Sequence, residues 1–209
     1  MRPRLPRFCA ILDPSIHPER PLEDWARWLV AAGVRWVQLR SKQATSAVLL
    51  EEARRLLAAL PEETLLVVND RADVALLSGA AGVHVGQDDL PAAEARSVLG
   101  PEKLIGLSTH APEQLEAARE EPVDYLAFGP IFPTATKSDT SPVVGLDGLR
   151  TARRLTQKPL VAIGGITVEN AGGVLAAGAD AVAVISGWQA PPDVPARLEE
   201  FRRALGGLD

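Results

Sequence analysis

At 209 residues, 46% of them hydrophobic, the chain is long enough to bury a substantial core, as one large domain or two small ones. A net charge of −5 argues against nucleic acid or an anionic membrane as the main partner, and no apolar run approaches the ~20 residues that cross a bilayer. The lone cysteine, Cys9, excludes an internal disulfide and a cysteine-based zinc cluster, and Phe8 to Leu12 is too short for a secretory core, so a soluble cytoplasmic protein is expected.

Short apolar runs alternate with helical patterns from end to end. The expected strands are Phe8–Leu12, Val34–Leu39, Leu65–Asn69, Gly82–Val85, Leu104–Ser108, Tyr125–Gly129, Leu160–Gly164 and Ala181–Ile185. Between the first two, Leu22, Trp25, Ala26, Leu29 and Val30 keep the i, i+3, i+4, i+7, i+8 spacing of an amphipathic helix. Leu49, Ala53, Leu56, Leu57 and Leu60 form another stripe, and Val194, Leu198, Phe201 and Leu205 the last. Strands alternating with helices imply parallel pairing through right-handed crossovers. Eight such units match the lower size limit of a (β/α)₈ TIM barrel, expected here as one domain over residues 1–209. A doubly wound sheet would carry glycines after its first strand; here Leu12 is followed by Asp13-Pro14-Ser15, with no glycine until Gly33. Cys9, inside the first run, reads as an inert buried thiol. The tryptophans Trp25 and Trp28 read as surface residues that serve either core or interface, which leaves room for a homo-oligomer.

Polar clusters fall where the strands end, and in a parallel barrel those ends share one face. Gln38, Arg40 and Lys42, spaced by two, point one way, while Val37 and Leu39 point the other, toward the helices. Two cations facing a barrel mouth call for an anion, and a pyrophosphate suits an arginine fork with a mobile lysine. The rival reading is an ion pair with a carboxylate such as Asp70. Asp70 and Asp89 end or follow adjacent strands about 4.8 Å apart, so both reach one cation, with Asn69 beside them. Magnesium takes one or two protein carboxylates and completes its shell with water and phosphate. As a bland alternative Asp70 caps the helix near Arg71, and Asp88 competes with Asp89. Ser108 reads as a hydroxyl donor to substrate rather than a nucleophile, because no Gly-x-Ser-x-Gly elbow surrounds it, and His110 as a residue that caps or packs at a helix start. His84, between Val83 and Val85, reads as a satisfied core or lining histidine. Residues 129–146, with three prolines and the run Thr134-Ala135-Thr136-Lys137, form a loop long enough to be functional. Gly164-Gly165 and Ile185-Ser186-Gly187 end the last two strands, where such barrels commonly bind phosphate on backbone N–H groups.

These residues resemble the thiamine-phosphate synthase (thiamine-phosphate pyrophosphorylase) family along almost the whole chain. The similar stretches are QLRSK at 38–42, NDRADVAL at 69–76, GVHVGQDDLP at 82–91, GLSTH at 106–110, DYLAFGPIFPTATK at 124–137, VAIGGI at 161–166 and GADAVAVIS at 178–186. The resemblance implies a transferase on one (β/α)₈ barrel that joins hydroxymethylpyrimidine pyrophosphate to a thiazole phosphate, giving thiamine phosphate and pyrophosphate. By position it places the pyrimidine pyrophosphate on Gln38, Leu39, Arg40, Ser41 and Lys42, and on Asn69, Ser108 and Lys137. It places Mg²⁺ on Asp70 and Asp89, choosing Asp89 over Asp88. The thiazole phosphate falls on Thr134, Ala135, Thr136, Gly165, Ile185 and Ser186. The implied reaction is dissociative: pyrophosphate leaves, the ring amino group stabilises a pyrimidinyl-methyl cation, and the thiazole nitrogen attacks. Arg40, Lys42, Lys137 and Mg²⁺ neutralise the leaving group, and the 129–146 loop closes over the cation. The same family holds metal-independent thiazole tautomerases, usually with histidine where Pro130 stands here, and a non-catalytic phosphate-binding barrel is the third reading. This chain departs from the family in opening with Ile11-Leu12-Asp13 where Val-Thr-Asp is common, and in Trp188 and Pro191-Pro192 after the last strand.

Overall fold

The computed structural model describes residues 5–134 and 142–209. Eight strands close into one parallel barrel in sequence order: β1 (Phe8–Leu12), β2 (Trp36–Leu39), β3 (Leu65–Asn69), β4 (Gly82–Val85), β5 (Leu104–Thr109), β6 (Tyr125–Phe128), β7 (Leu160–Ile163) and β8 (Ala181–Val184). Cys9 opposite Ala183 closes the ring between β1 and β8. The barrel is wrapped by α1 (Leu22–Ala31), α2 (Ser46–Ala59), α3 (Ala72–Ser78), α4 (Ala92–Leu99), α5 (Pro112–Ala117), α6 (Gly145–Leu155), α7 (Val168–Ala176), a short α8 (Ser186–Gln189) and α9 (Val194–Leu205). This is the expected (β/α)₈ TIM barrel.

Period-two alternation divides the apolar residues into two cores. Outward-facing Val37, Leu39, Leu66, Val68, Val83 and Val85 pack against the helices. Inward-facing Cys9, Ile11, Trp36, Val67, Tyr125, Ala127, Val161, Ala181, Ala183 and Ile185 form the second core, inside the barrel. The polar trio on β2 follows the same rule, since Gln38 lies two residues beyond Trp36 on the inner face. Cys9 is fully buried and burial pushes its thiol far above its ordinary value. Alkylation by iodoacetamide is therefore expected to be absent in the native protein at mildly alkaline pH and complete once denaturant is added; rapid native labelling, read by intact mass, would contradict the inner placement of β1.

Several strand ends differ from the sequence reading, each for a local reason. β2 starts at Trp36 because Val34 donates its N–H to Leu29 O at 2.9 Å and closes α1, with Gly33 in the left-handed region. β6 stops at Phe128 because Pro130 follows Gly129 and has no N–H to give. β7 stops at Ile163 because Gly164 takes φ 98°. β8 stops at Val184 because Ile185 turns the chain into α8, its carbonyl accepting from Gln189 N at 3.1 Å. β5 runs one residue further, to Thr109, whose hydroxyl donates to Ala127 O at 2.8 Å.

The tryptophans are also corrected. Trp25 is no surface residue: it is fully buried, with Trp188 edge-on at 5.6 Å, and Trp28 is half-buried beneath the Arg20 guanidinium at 4.5 Å. Trp188 is structural, its indole N–H donating to Val184 O at 2.9 Å and Ile11 O at 3.2 Å and so tying α8 to the barrel rim. Among the described residues no helix is long and apolar enough to cross a membrane.

Candidate active site

The C-terminal rim of the barrel collects two groups of side chains. On the β2–β4 side, Lys42 Nζ stands 2.5 Å from Asp70 Oδ2. Asp70 is the only described non-glycine residue with positive φ, at 64°, and its N–H donates to His84 O at 2.7 Å. That backbone turn directs the carboxylate across the rim rather than onto α3. The cap position of α3 belongs to Arg71, without a side-chain cap, so the helix-capping reading of Asp70 is wrong. Asp73 pairs with Arg71 on the exposed surface.

Burial is the largest influence on the Asp70 carboxyl and raises it above its ordinary value; Lys42 pulls it down, and the Asp89 carboxylate, within hydrogen-bonding reach, pushes it up again. Asp89 is folded back, its Oδ2 accepting from Gly86 N at 2.7 Å, and it is half-buried, whereas Asp88 is exposed. A main-chain hydrogen bond thus turns Asp89 into the rim, while Asp88 faces outward. Two facing carboxylates, one already disfavoured in its charged form, are a donor set that a hard divalent cation would stabilise. Among the described residues no cluster of three or more His, Cys, Asp or Glu side chains assembles.

Arg40 does not pair with Asp70. Its NH1 donates to Asp13 Oδ2 in a short ion pair whose side chains are 15% and 4% exposed. Asp13 was not singled out by the sequence reading as a site residue, yet it is heavily engaged. Its Oδ1 accepts from Ser15 Oγ at 2.6 Å and Ser15 N at 3.1 Å. Gln189 clamps its main chain from both sides, accepting from Asp13 N at 3.0 Å and donating to Asp13 O at 2.8 Å. The signal that could have found Asp13 is register: Leu12 lies opposite Leu39, so Asp13 and Arg40 leave adjacent strands side by side. Arg40 Nε is buried with no hydrogen-bond partner among the described residues, a donor left over for a ligand.

On the other side of Arg40 lies a cavity of about 630 Å³, walled by Asp13, Thr134, Gly164, Gly165, Ile185 and Ser186 among others. Gly165, at φ 62°, brings its backbone so close to the β6 loop that a Cβ would lie 2.6 Å from Pro133 O. A side chain there would be strained and would also clash.

The other expected residues divide. Gln38 and Ser108 are buried inside the barrel mouth, and Asn69 ends β3 beside Asp70. Leu39 turns its side chain into the outer core. Ser41 lies beside the Glu52 carboxyl on α2, which burial pushes above its ordinary value against the opposing pull of the serine. His84 is a satisfied lining residue, held between Tyr125 Oη and Ser108 Oγ. His110 packs at the start of α5, Nδ1 at 2.7 Å from Gly129 O, with its N–H donating to Gln114 Oε1 at 2.7 Å. Ala135, Thr136 and Lys137 lie outside the described residues.

A family model described as thiamine monophosphate synthase matches residues 8–188. The chain belongs to the thiamine monophosphate synthase family. A thiamine-phosphate synthase of Koribacter versatilis is 52% identical over 206 residues, covering 97% of each chain. Another, of Albidiferax ferrireducens, is 51% identical over 188 residues, 90% of this chain and 86% of that one. Among solved structures, a thiamine phosphate pyrophosphorylase from Pyrococcus furiosus superposes with a TM-score of 0.87 at 34% identity, over 96% of this chain and 95% of that one. Thiamine-phosphate synthases are transferases, and these relatives match this chain along nearly its whole length, barrel and rim together.

Proposed function

We propose that the chain is a transferase that joins hydroxymethylpyrimidine pyrophosphate to thiazole phosphate, releasing pyrophosphate and forming thiamine phosphate. The observation that carries this reading is the place of Arg40, between a carboxylate–lysine cluster on one side and a glycine-walled cavity on the other. A rim built so has two anion-binding halves that share one cation, as a reaction between two phosphorylated substrates requires.

The pyrimidine pyrophosphate occupies the β2–β5 half. Arg40, Lys42 and the Ser108 hydroxyl meet its phosphate oxygens, and Gln38 and Asn69 orient the ring and its methylene. Asp70 and Asp89 would hold Mg²⁺, which when bound would supply positive charge against the departing pyrophosphate. The thiazole phosphate sits in the cavity on Thr134, Gly165, Ile185 and Ser186, where N–H groups of the β7 and β8 ends take its oxygens. The C–O bond to pyrophosphate breaks, the resulting carbocation draws on the ring amino group, and the thiazole nitrogen closes the new C–N bond. No protein nucleophile takes part. The residues hold the two substrates in line and meet growing negative charge with fixed cations, contributions worth several kcal/mol each in comparable sites. The family resemblance assigns Ala135 and Thr136 to the thiazole phosphate and Lys137 to the leaving group. An acidic protein of this activity, with only small phosphorylated partners, belongs in the cytoplasm.

The test is pyrophosphate release measured with both substrates and Mg²⁺, with each substrate alone, and with excess EDTA. Release that needs both substrates and stops with EDTA is expected. Turnover of thiazole phosphate that survives EDTA would instead mark a metal-independent isomerase and refute the metal role of Asp70 and Asp89.

A further inference from the structure

Inside the barrel mouth, three strands contribute one hydrogen-bonded run, of which the reaction as described uses only Ser108. Tyr125 Oη on β6 lies 3.0 Å from His84 Nδ1 on β4, and His84 Nε2 lies 2.8 Å from Ser108 Oγ on β5. Both rings cross the position of Gly106, which lies between them on β5: a Cβ there would fall 2.1 Å from Tyr125 Cζ and 2.4 Å from His84 Nδ1. The missing side chain lets the rings stack at 5.4 Å and 28°. Trp36 then closes the far face of Tyr125 edge-on at 5.0 Å, and Gln87 Nε2 fixes the Ser108 main chain by donating to its carbonyl at 2.6 Å. We propose that His84 and Tyr125 are positioning residues that hold the Ser108 hydroxyl as a hydrogen-bond donor toward the pyrophosphate half of the site.

A neutral imidazole has one donor and one acceptor nitrogen, so the run has two polarities. In the first, Tyr125 donates to Nδ1, Nε2–H donates to Ser108 Oγ, and the serine proton is left for a ligand. In the second, Nδ1–H donates to Tyr125, the serine proton is spent on Nε2, and only lone pairs face the anion. An arriving pyrophosphate selects the first, because an anion needs a donor. Tyr125 makes the first available. Its hydroxyl stays protonated, since burial pushes the phenol well above its ordinary value. The inference rests on the placement of pyrophosphate proposed above and adds the group that sets the direction of the Ser108 proton.

The experiment has two arms on the full chain. In the first, Tyr125→Phe, Ser108→Ala and the double variant are assayed with both substrates and Mg²⁺. Tyr125→Phe should lower kcat by about tenfold. In the Ser108→Ala background the same change should add nothing, because its only route is through the serine. An equal loss in both backgrounds would show that Tyr125 acts by packing and would overturn the proposal. The second arm needs no variant or turnover: ¹⁵N NMR of His84 in the wild-type chain with inorganic pyrophosphate and Mg²⁺. The proton should reside on Nε2. A proton on Nδ1 with pyrophosphate bound would overturn the relay, whereas an Nε2 proton in a wild-type chain that releases no pyrophosphate from the two substrates would count against the proposed function alone.

Discussion

Asp70→Asn is expected to lower turnover by about 10²–10³-fold at saturating substrates, a loss comparable to removal of one group that stabilises transition-state charge, while thermal stability holds or rises. Asparagine is the informative replacement because Asp70 sits at φ 64°, a region asparagine tolerates and alanine does not. The backbone turn therefore survives and only charge is removed. Stability should not fall, because burial and the neighbouring Asp89 already disfavour the charged carboxylate in the folded state. Lys42 loses an ion pair that is about half exposed on its side, and such pairs contribute little. Activity should fall because the pair can no longer present two negative charges to one cation. Residual turnover should require more Mg²⁺ than the wild type. Pyrophosphate release and a melting curve on the same preparation decide the matter: near-wild-type turnover at equal Mg²⁺ would remove Asp70 from the metal site, and a collapse of the melting temperature would mean that the carboxylate is structural.

Much of this arrangement was legible before any coordinates. Alternation on β2 set Gln38 and Arg40 against Val37 and Leu39, and the barrel honours it because one face of each strand must meet the helices and the other the interior. Polar clusters at strand ends pointed to the rim, since polar groups there have no role in either core. What escaped has equally physical causes. Strand ends depend on events periodicity does not carry: the left-handed turn at Gly164, the proline after Gly129, the amide of Val34 spent on α1. Asp89 is set apart from Asp88 by one hydrogen bond from Gly86 N, which has no signature in spacing. Tyr125 looked like any aromatic in a strand, and only the bare position at Gly106 shows that it reaches across to His84. The rival ion pair with Asp70, read for the two cations after β2 together, holds for Lys42 and not for Arg40. Asp70 lies across β3, already paired with Lys42, whereas Asp13 leaves the neighbouring strand in register and is buried.

That buried pair makes Asp13→Asn the second large effect expected, and it should strike stability and turnover together. The two oxygens of Asp13 have opposite-facing duties: Oδ2 takes Arg40, while Oδ1 takes the amide and hydroxyl of Ser15. Asparagine has one acceptor oxygen and one donor nitrogen. With its NH₂ toward Arg40, two donors meet and the guanidinium has no anion; with its NH₂ toward Ser15, the turn that starts the first loop loses its acceptor. Neither orientation works, and Gln189 holds the backbone so that the side chain cannot swing away. Removing one partner of a buried ion pair costs about 3–5 kcal/mol, far more than the pair contributes over an apolar equivalent. Denaturant unfolding should show that loss. Turnover should fall about 10²-fold, the cost of displacing a catalytic group by about an ångström, because Arg40 would no longer be fixed between the two phosphate-binding halves. Pyrophosphate should then protect the variant against unfolding more than it protects the wild type, since the ligand supplies the anion that Arg40 has lost. Unchanged stability would mean that Arg40 finds another anion in solution, and lost stability with full turnover would mean that substrate alone suffices to position it.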